Sequence, residues 1–300
     1  MRVEQVVYGV DDLSESARFF TDLGLEPLES SDSRCRFATQ AGQLVDLRRS
    51  DDPGLPAPVE AGNTMREVVW GVDTEAAYDE LVRRLGVDRP VSEFDGVAHC
   101  VDETGFGVAI AIADVKPLTV DSVGDNRSGA VNRWNRARTH PGRVRPLRIC
   151  HVAVNIPKAG KEDALRFYVD RLDMRVTDQV RDMGVFLRAA GDSDQHTFLL
   201  CHRPDKASVN HTAFEVPGFD EVVVGVNNMV EQGWREARKL GRHTVGSNVF
   251  RFVHAPCGGR VELAADMDRV DETYGPNFYE QTPPHHIWQL EGNQQPGGES

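Results

Sequence analysis

The stretch Arg2–Pro27, RVEQVVYGVDDLSESARFFTDLGLEP, returns later in the chain as Arg148–Arg175, RICHVAVNIPKAGKEDALRFYVDRLDMR. Both open on an apolar run with the two-residue period of a strand. Both then cross a polar turn into a segment with an adjacent aromatic pair, Phe19-Phe20 and Phe167-Tyr168, whose spacing predicts a helix. A second pair follows, MREVVWGVDTEAAYDELVRRLG (65–86) and VNHTAFEVPGFDEVVVGVNNMVEQG (209–233), again strand into helix. Each half closes in β-rich sequence around a glycine turn, ETGFGVAIAIA (103–113) and PCGGRVELAAD (256–266). The chain therefore reads as four strand–helix–strands units, two in each half.

The halves fall at residues 1–114 and 148–265. A connector rich in turn formers and poor in periodicity lies between them at 115–147. From residue 266 to 300 the sequence becomes a polar, Pro/Gly-rich tail containing TPPHHIWQL. It closes on GNQQPGGES, which has the composition of a disordered end. The chain of 300 residues is 40% hydrophobic, enough for packed cores and too much for a disordered protein. No apolar run approaches the roughly 20 residues that span a bilayer. The start, MRVEQVVYGV, has no export signal, which leads to the expectation of a cytoplasmic protein without membrane partners.

The 34 basic and 47 acidic residues leave a formal charge of −13, opposite to a nucleic-acid binder. The basic stretch Arg133–Arg148 lies in the connector and reads as a solvated linker, not a phosphate-binding strip. The five cysteines are scattered, odd in number and form no C-x-x-C pair, so buried reduced thiols are expected instead of disulfides or a zinc ribbon. Nine of the ten histidines lie beyond residue 139, which places histidine chemistry in the second half.

Laying the halves over one another sets His151 opposite Gln5, His211 opposite Glu67 and Glu262 opposite Ala109. Each of the first-named residues sits inside an apolar strand: ICHVAVNI, VNHTAFEV and GRVELAA. A histidine on such a face is ordinarily a hydrogen-bonded core residue. A carboxylate between Val261 and Leu263 is costly to bury unless paired or metal-bound. Taken together, the three form a metal site of two imidazoles and one carboxylate, present in one copy of the repeat only. That set leaves open positions on an octahedral metal and is the pattern of non-haem Fe(II) oxygenases. Zinc is the alternative. Two further histidines, His196 in DQHTFLLCH and His243 in LGRHTVGSNVF, favour oxygen chemistry, because imidazole titrates near working pH and relays protons.

These residues resemble the type I extradiol ring-cleaving dioxygenases of the vicinal-oxygen-chelate (glyoxalase/bleomycin resistance/dioxygenase) superfamily. The resemblance covers about residues 1–265. It is most specific in HVAVNIP, ALRFYVDRLDMR, DQHTFLL, NHTAFEVPGFDEV and GRHTVGSNVFRFVHAPCGGRVEL. It implies an α+β fold of four βαβββ modules paired into two domains, each a curled mixed sheet with helices outside. The first domain carries no metal and the second encloses the iron. The family's ligands match His151, His211 and Glu262, its acid/base histidine matches His196, and its substrate-hydroxyl histidine matches His243.

The resemblance implies Fe(II), O2 and a small aromatic diol, cleaved next to its two hydroxyls, in an enzyme that forms homo-oligomers. Phe186, Phe250 and Phe252 are candidates to line the substrate pocket, and Trp288 with His285 and His286 to cap its entrance. Phe252 stands where the family commonly has tyrosine, and Val245-Gly246-Ser247 where Asn-Asp-His is common, so the proton path departs from the family pattern. Manganese in place of iron stays open. Two rivals also remain: a metal-dependent isomerase or lyase of the same superfamily, and a resistance-type protein that binds a small molecule without chemistry.

Overall fold

A computed structural model describes residues 1–120 and 124–291 of the chain. The first unit contains β1 (Arg2–Val10), α1 (Leu13–Leu23), β2 (Glu26–Ser30), β3 (Arg34–Ala38) and β4 (Leu44–Arg49). The second contains β5 (Thr64–Val72), α2 (Glu75–Leu85), β6 (Ser92–Phe94), β7 (Val97–Val101) and β8 (Gly107–Ile112). The third begins with β9 (Arg148–Pro157) and α3 (Lys161–Arg166), which runs on into one π-helical turn, Phe167–Arg171. β10 (Arg175–Val180), β11 (Gly184–Arg188) and β12 (Phe198–Arg203) complete it. The fourth contains β13 (Ser208–Glu215), α4 (Phe219–Glu231), β14 (Glu236–His243), β15 (Val249–His254) and β16 (Arg260–Ala265). Two short strands follow, β17 (Asn277–Tyr279) and β18 (His286–Gln289).

The first sheet runs β2-β3-β4-β1-β5-β8-β7-β6. The second repeats that order as β10-β11-β12-β9-β13-β16-β15-β14, with β17 added outside β10 and β18 outside β14. Both sheets mix parallel and antiparallel pairs: β1 runs parallel to β4 and antiparallel to β5, and β9 does the same with β12 and β13. The tail thus supplies both outer edges of the second sheet, where unpaired backbone groups would otherwise face water. Its last stretch, GNQQPGGES, lies outside the described residues.

Local chemistry sets the element ends. α1 starts where the Asp12 carboxylate accepts the Glu15 N–H at 2.9 Å, and ends at Gly24 with φ of 101°. A Cβ on Gly24 would stand 2.1 Å from the Val144 carbonyl, so the close approach of the connector also requires glycine there.

One cluster of buried side chains runs through both halves. Phe19 on α1 meets Trp234, just past α4, edge to face at 5.0 Å, and Trp70 meets Phe198 at 5.6 Å. Tyr8 and Thr212 share a buried hydrogen bond of 2.6 Å, and Tyr168 donates to buried Asp102 at 2.8 Å. In the connector, Arg138 pairs with Asp220 at 2.6 Å and with Asp125, and Arg143 donates to the Thr21 carbonyl at 2.6 Å. All five cysteines are buried and unpaired to one another. Among the described residues, no helix is long and apolar enough to cross a membrane.

Candidate metal centre

Three strands that neighbour one another in the second sheet, β9, β13 and β16, each turn one polar side chain inward. Their registers place Ala153 across from His211, His151 across from Ala213, and Ala213 beside Glu262. The first sheet pairs Gln5 with Val69, Glu67 with Gly107 and Val69 with Ala109. The ladders themselves therefore set Gln5, Glu67 and Ala109 in the places of His151, His211 and Glu262. By the same registers His99 stands in the place of Phe252, across from Ala109 as Phe252 is across from Glu262.

His151 Nε2 lies 3.0 Å from His211 Nε2, and each of these nitrogens lies 3.2 Å from Glu262 Oε2. All three side chains are buried. Donors on one face of an octahedron with bonds of about 2.1 Å stand about 3.0 Å apart; tetrahedral neighbours stand about 3.4 Å apart. The observed triangle is closer to the octahedral face.

Protonation points the same way. His211 Nδ1 faces Asn210 Oδ1 at 2.9 Å, and that oxygen also accepts from Arg260, which fixes the amide's orientation. Nδ1 therefore carries the proton and Nε2 presents a lone pair. His151 Nδ1 lies 3.6 Å from the Cys150 sulfur. Glu262 Oε1 accepts from Asn248 at 2.9 Å, whereas Oε2 is buried without a hydrogen-bond partner. Burial alone would push the Glu262 carboxyl up, but the adjacent His151 and His211 outweigh it and hold the group well below the usual range. Burial lowers His211 to about 4, against the pull of Glu262. A buried carboxylate oxygen without a donor, facing imidazole lone pairs, is costly unless a cation joins them. The residues present fit a divalent metal.

This triad forms the floor of a cavity lined also by His196, His243, Phe186, Phe252, Met183, Leu199, Cys201 and His285. His196 is not on a strand; it precedes β12 in a loop, two residues ahead of Phe198. Its Nδ1 lies 2.6 Å from Gln195 Oε1, and Gln195 Nε2 donates to Asp178 at 2.6 Å. Asp178 in turn accepts from the Asn277 side chain at 2.8 Å and from Tyr274 at 3.3 Å, both in the tail. This chain orients the Gln195 amide, so His196 holds its proton on Nδ1. Burial, and next to it the neighbouring His151, keeps His196 well below its ordinary value. His243, at the end of β14, reaches within 4.0 Å of Glu262 Oε1, and burial lowers it to about 3.

Phe250 does not line the cavity. The alternation of β15 puts it on the same face as Phe252, but Gly241 opposite leaves a slot that its ring fills. A Cβ on Gly241 would stand 2.6 Å from Phe250 Cζ, and His243 stacks on the ring at 4.0 Å. Phe252 meets His211 edge to face at 5.1 Å. Of the tail residues named from sequence, His285 reaches the cavity, His286 sits 5.4 Å from the His243 ring, and Trp288 lies outside the lining. Sequence reasoning missed Gln195, Asn210 and Asn248, although each lies beside a residue that it singled out or within a quoted motif.

Residues 148–263 match the Glyoxalase/Bleomycin resistance protein/Dioxygenase superfamily. Over 187 residues the chain is 30% identical to Metapyrocatechase 2 of Cupriavidus necator, a match that spans 62% of this chain and 56% of that relative. The fold is shared with a Mn(II)-bound glyoxalase from Novosphingobium aromaticivorans, at a TM-score of 0.74 and 22% identity over 100% of this chain and 95% of that one. It is shared equally with a halotolerant catechol dioxygenase, at a TM-score of 0.73 and 15% identity over 98% of this chain and 95% of that one.

Proposed function

We propose that the chain is an Fe(II)-dependent extradiol dioxygenase. It inserts both atoms of O2 into a catecholic ring and opens the ring next to the diol, acting in the cytoplasm as a homo-oligomer. The observation that carries this reading is the convergence of His151, His211 and Glu262 at 3.0–3.2 Å, with the Glu262 Oε2 atom otherwise unpartnered, on the floor of a cavity that also holds His196 and His243. The relative named Metapyrocatechase 2 supports it.

The three ligands would hold Fe(II), which when bound supplies a template for the diol and O2 together and the spin coupling that lets O2 react. His243, neutral and beside Glu262, binds a substrate hydroxyl and accepts its proton. His196 holds its own proton on Nδ1 against Gln195, so Nε2 is the atom that takes up a proton and returns it when the O–O bond breaks. Phe252 offers a ring and no proton, which leaves proton traffic to the two histidines. Met183, Phe186 and Leu199 surround the ring's place with apolar surface and exclude water.

Protein purified without oxygen is expected to hold about one iron per chain, on His151, His211 and Glu262. With catechols it should consume O2 and give a yellow ring-fission product. Iron-loaded protein that takes up no oxygen with any of a broad diol panel would overturn the reading. Product formed without oxygen would instead favour an isomerase or lyase that uses another divalent ion.

A further inference from the structure

The same cavity is also lined by three guanidinium groups, Arg203, Arg238 and Arg260, together with Asn210. They come from β12, β14 and β16, and Arg260 lies two residues before Glu262 on the same strand face. The guanidinium carbons of Arg238 and Arg260 stand 5.1 and 5.2 Å from the centre of the Phe252 ring. Phe252 is itself paired across from Glu262, so this cationic lining begins one residue pair from the metal ligands. All three arginines act on the Cys201 thiol, whose burial nevertheless pushes it up to about 11.

None of the three has a carboxylate within ion-pair distance among the described residues. Arg203 donates to the His202 carbonyl, and Arg260 to Asn210 Oδ1, the amide that orients His211. Several inward-turned arginines elsewhere are neutralised: Arg34 and Arg48 hold buried Asp46 at 2.8 and 3.0 Å, and Arg251 holds Glu236 at 2.6 Å, whereas buried Arg66 is met by the Ser50 and Pro56 carbonyls alone. Burial lowers both Arg238 and Arg260, each still a cation at neutral pH. Three half-buried guanidiniums that share one cavity without an ion-paired carboxylate favour an arriving anion.

We infer that the diol this site takes carries an anionic substituent, a carboxylate on a short tether, which Arg238 and Arg203 bind while Arg260 holds Asn210. This inference rests on the ring-cleavage reading for the diol, but the anionic subsite is measurable without it. The alternative use of the same charge is to stabilise the ionised diol itself, which gives no preference for an acid side chain.

The test has two arms. In the first, iron-loaded protein is given catechols that bear a carboxylate at the ring or on one- or two-methylene tethers, each matched with its carboxamide, and O2 uptake is followed. We expect the best acid to exceed its amide in kcat/KM on the order of 10–100-fold, the scale of charge-assisted hydrogen bonds. Arg238→Gln and Arg203→Gln should each shrink that preference several-fold through KM, and Arg238→Lys should restore most of it. In the second arm, metal-free protein is titrated calorimetrically with 3-phenylpropionate and 3-phenylpropionamide, which cannot chelate; the acid should bind more tightly, and less so as salt is added. If no diol is oxidised, the ring-cleavage reading falls and the second arm alone decides the subsite. Equal binding of acid and amide there, or equal kcat/KM at every tether length in the first arm, overturns the inference.

Discussion

The two sheets share one strand order and one register, yet fill their inner faces in opposite ways. In the first, charged side chains pair off, although His99 Nε2 stays buried without a partner. Glu67 meets His99 at 2.9 Å, and Asp46 is clamped by Arg34 and Arg48. In the second, the place of Glu67 is His211, the place of His99 is Phe252, and Glu262 appears where the first has Ala109. Phe252 across from Glu262 offers it no donor, and Oε2 stays without a hydrogen-bond partner. A metal site here is less a set of added ligands than a set of polar groups denied one another.

That contrast can be broken. The largest effect is expected for His151→Ala or Glu262→Ala, which should abolish iron retention and lower turnover by more than about 100-fold, the upper loss typical for residues merely surrounding a metal shell. Glu67→Ala should leave iron content at the wild-type level; metal analysis of the variants decides it, and iron lost from Glu67→Ala would end the distinction. Next comes His196→Ala, which should keep its iron and lose on the order of 10²–10⁴-fold in O2 uptake. An unchanged rate would remove His196 from the proton path.

Packing between the halves gives the third effect. Phe19→Ala empties the contact with Trp234 and should cost about 3–5 kcal/mol in denaturant melts, with both halves unfolding in one transition. Two transitions would show that the halves hold together only weakly.

The smallest effect is a pH dependence. His202 occupies the place of exposed Arg49, and burial, with Lys161 nearby, lowers it to about 4. Its folded value lies below the unfolded one near 6.5, so the unfolded chain binds the proton first and stability falls as pH drops from about 6.5 towards 4. The drop in melting temperature between pH 7 and 5 should shrink in His202→Gln; an identical drop would assign the acid sensitivity elsewhere.

Much of this was legible because alternation in a strand is rigid. His151, His211 and Glu262 interrupt apolar runs at the positions that face inward, and the repeat supplied an internal reference for each of them. Phe250 shows the limit: its face could be read, but not the slot above Gly241, a matter of a missing side chain on a neighbouring strand. His196 sits in a loop just before β12, a boundary that the apolar run TFLL after it does not mark. The tail strands were hidden for another reason. Three or four residues carry no periodicity, and β17 and β18 exist only because finished sheet edges accept them. The arginine lining needed three strands brought together before its lack of counterions could be seen.

One consequence concerns motion. The amide of Gln195 is held by Asp178, and Asp178 is held by Asn277 and Tyr274, the first of them in a three-residue strand at the margin of the sheet. Such margins open far more cheaply than a core. Each opening takes donors from Asp178 but leaves Gln195 Nε2 donating to it, because a turned amide would set its oxygen against the carboxylate. The amide therefore keeps its orientation and His196 keeps its proton on Nδ1. Fraying at the rim of the sheet stops at the carboxylate and does not reach the tautomer at its centre.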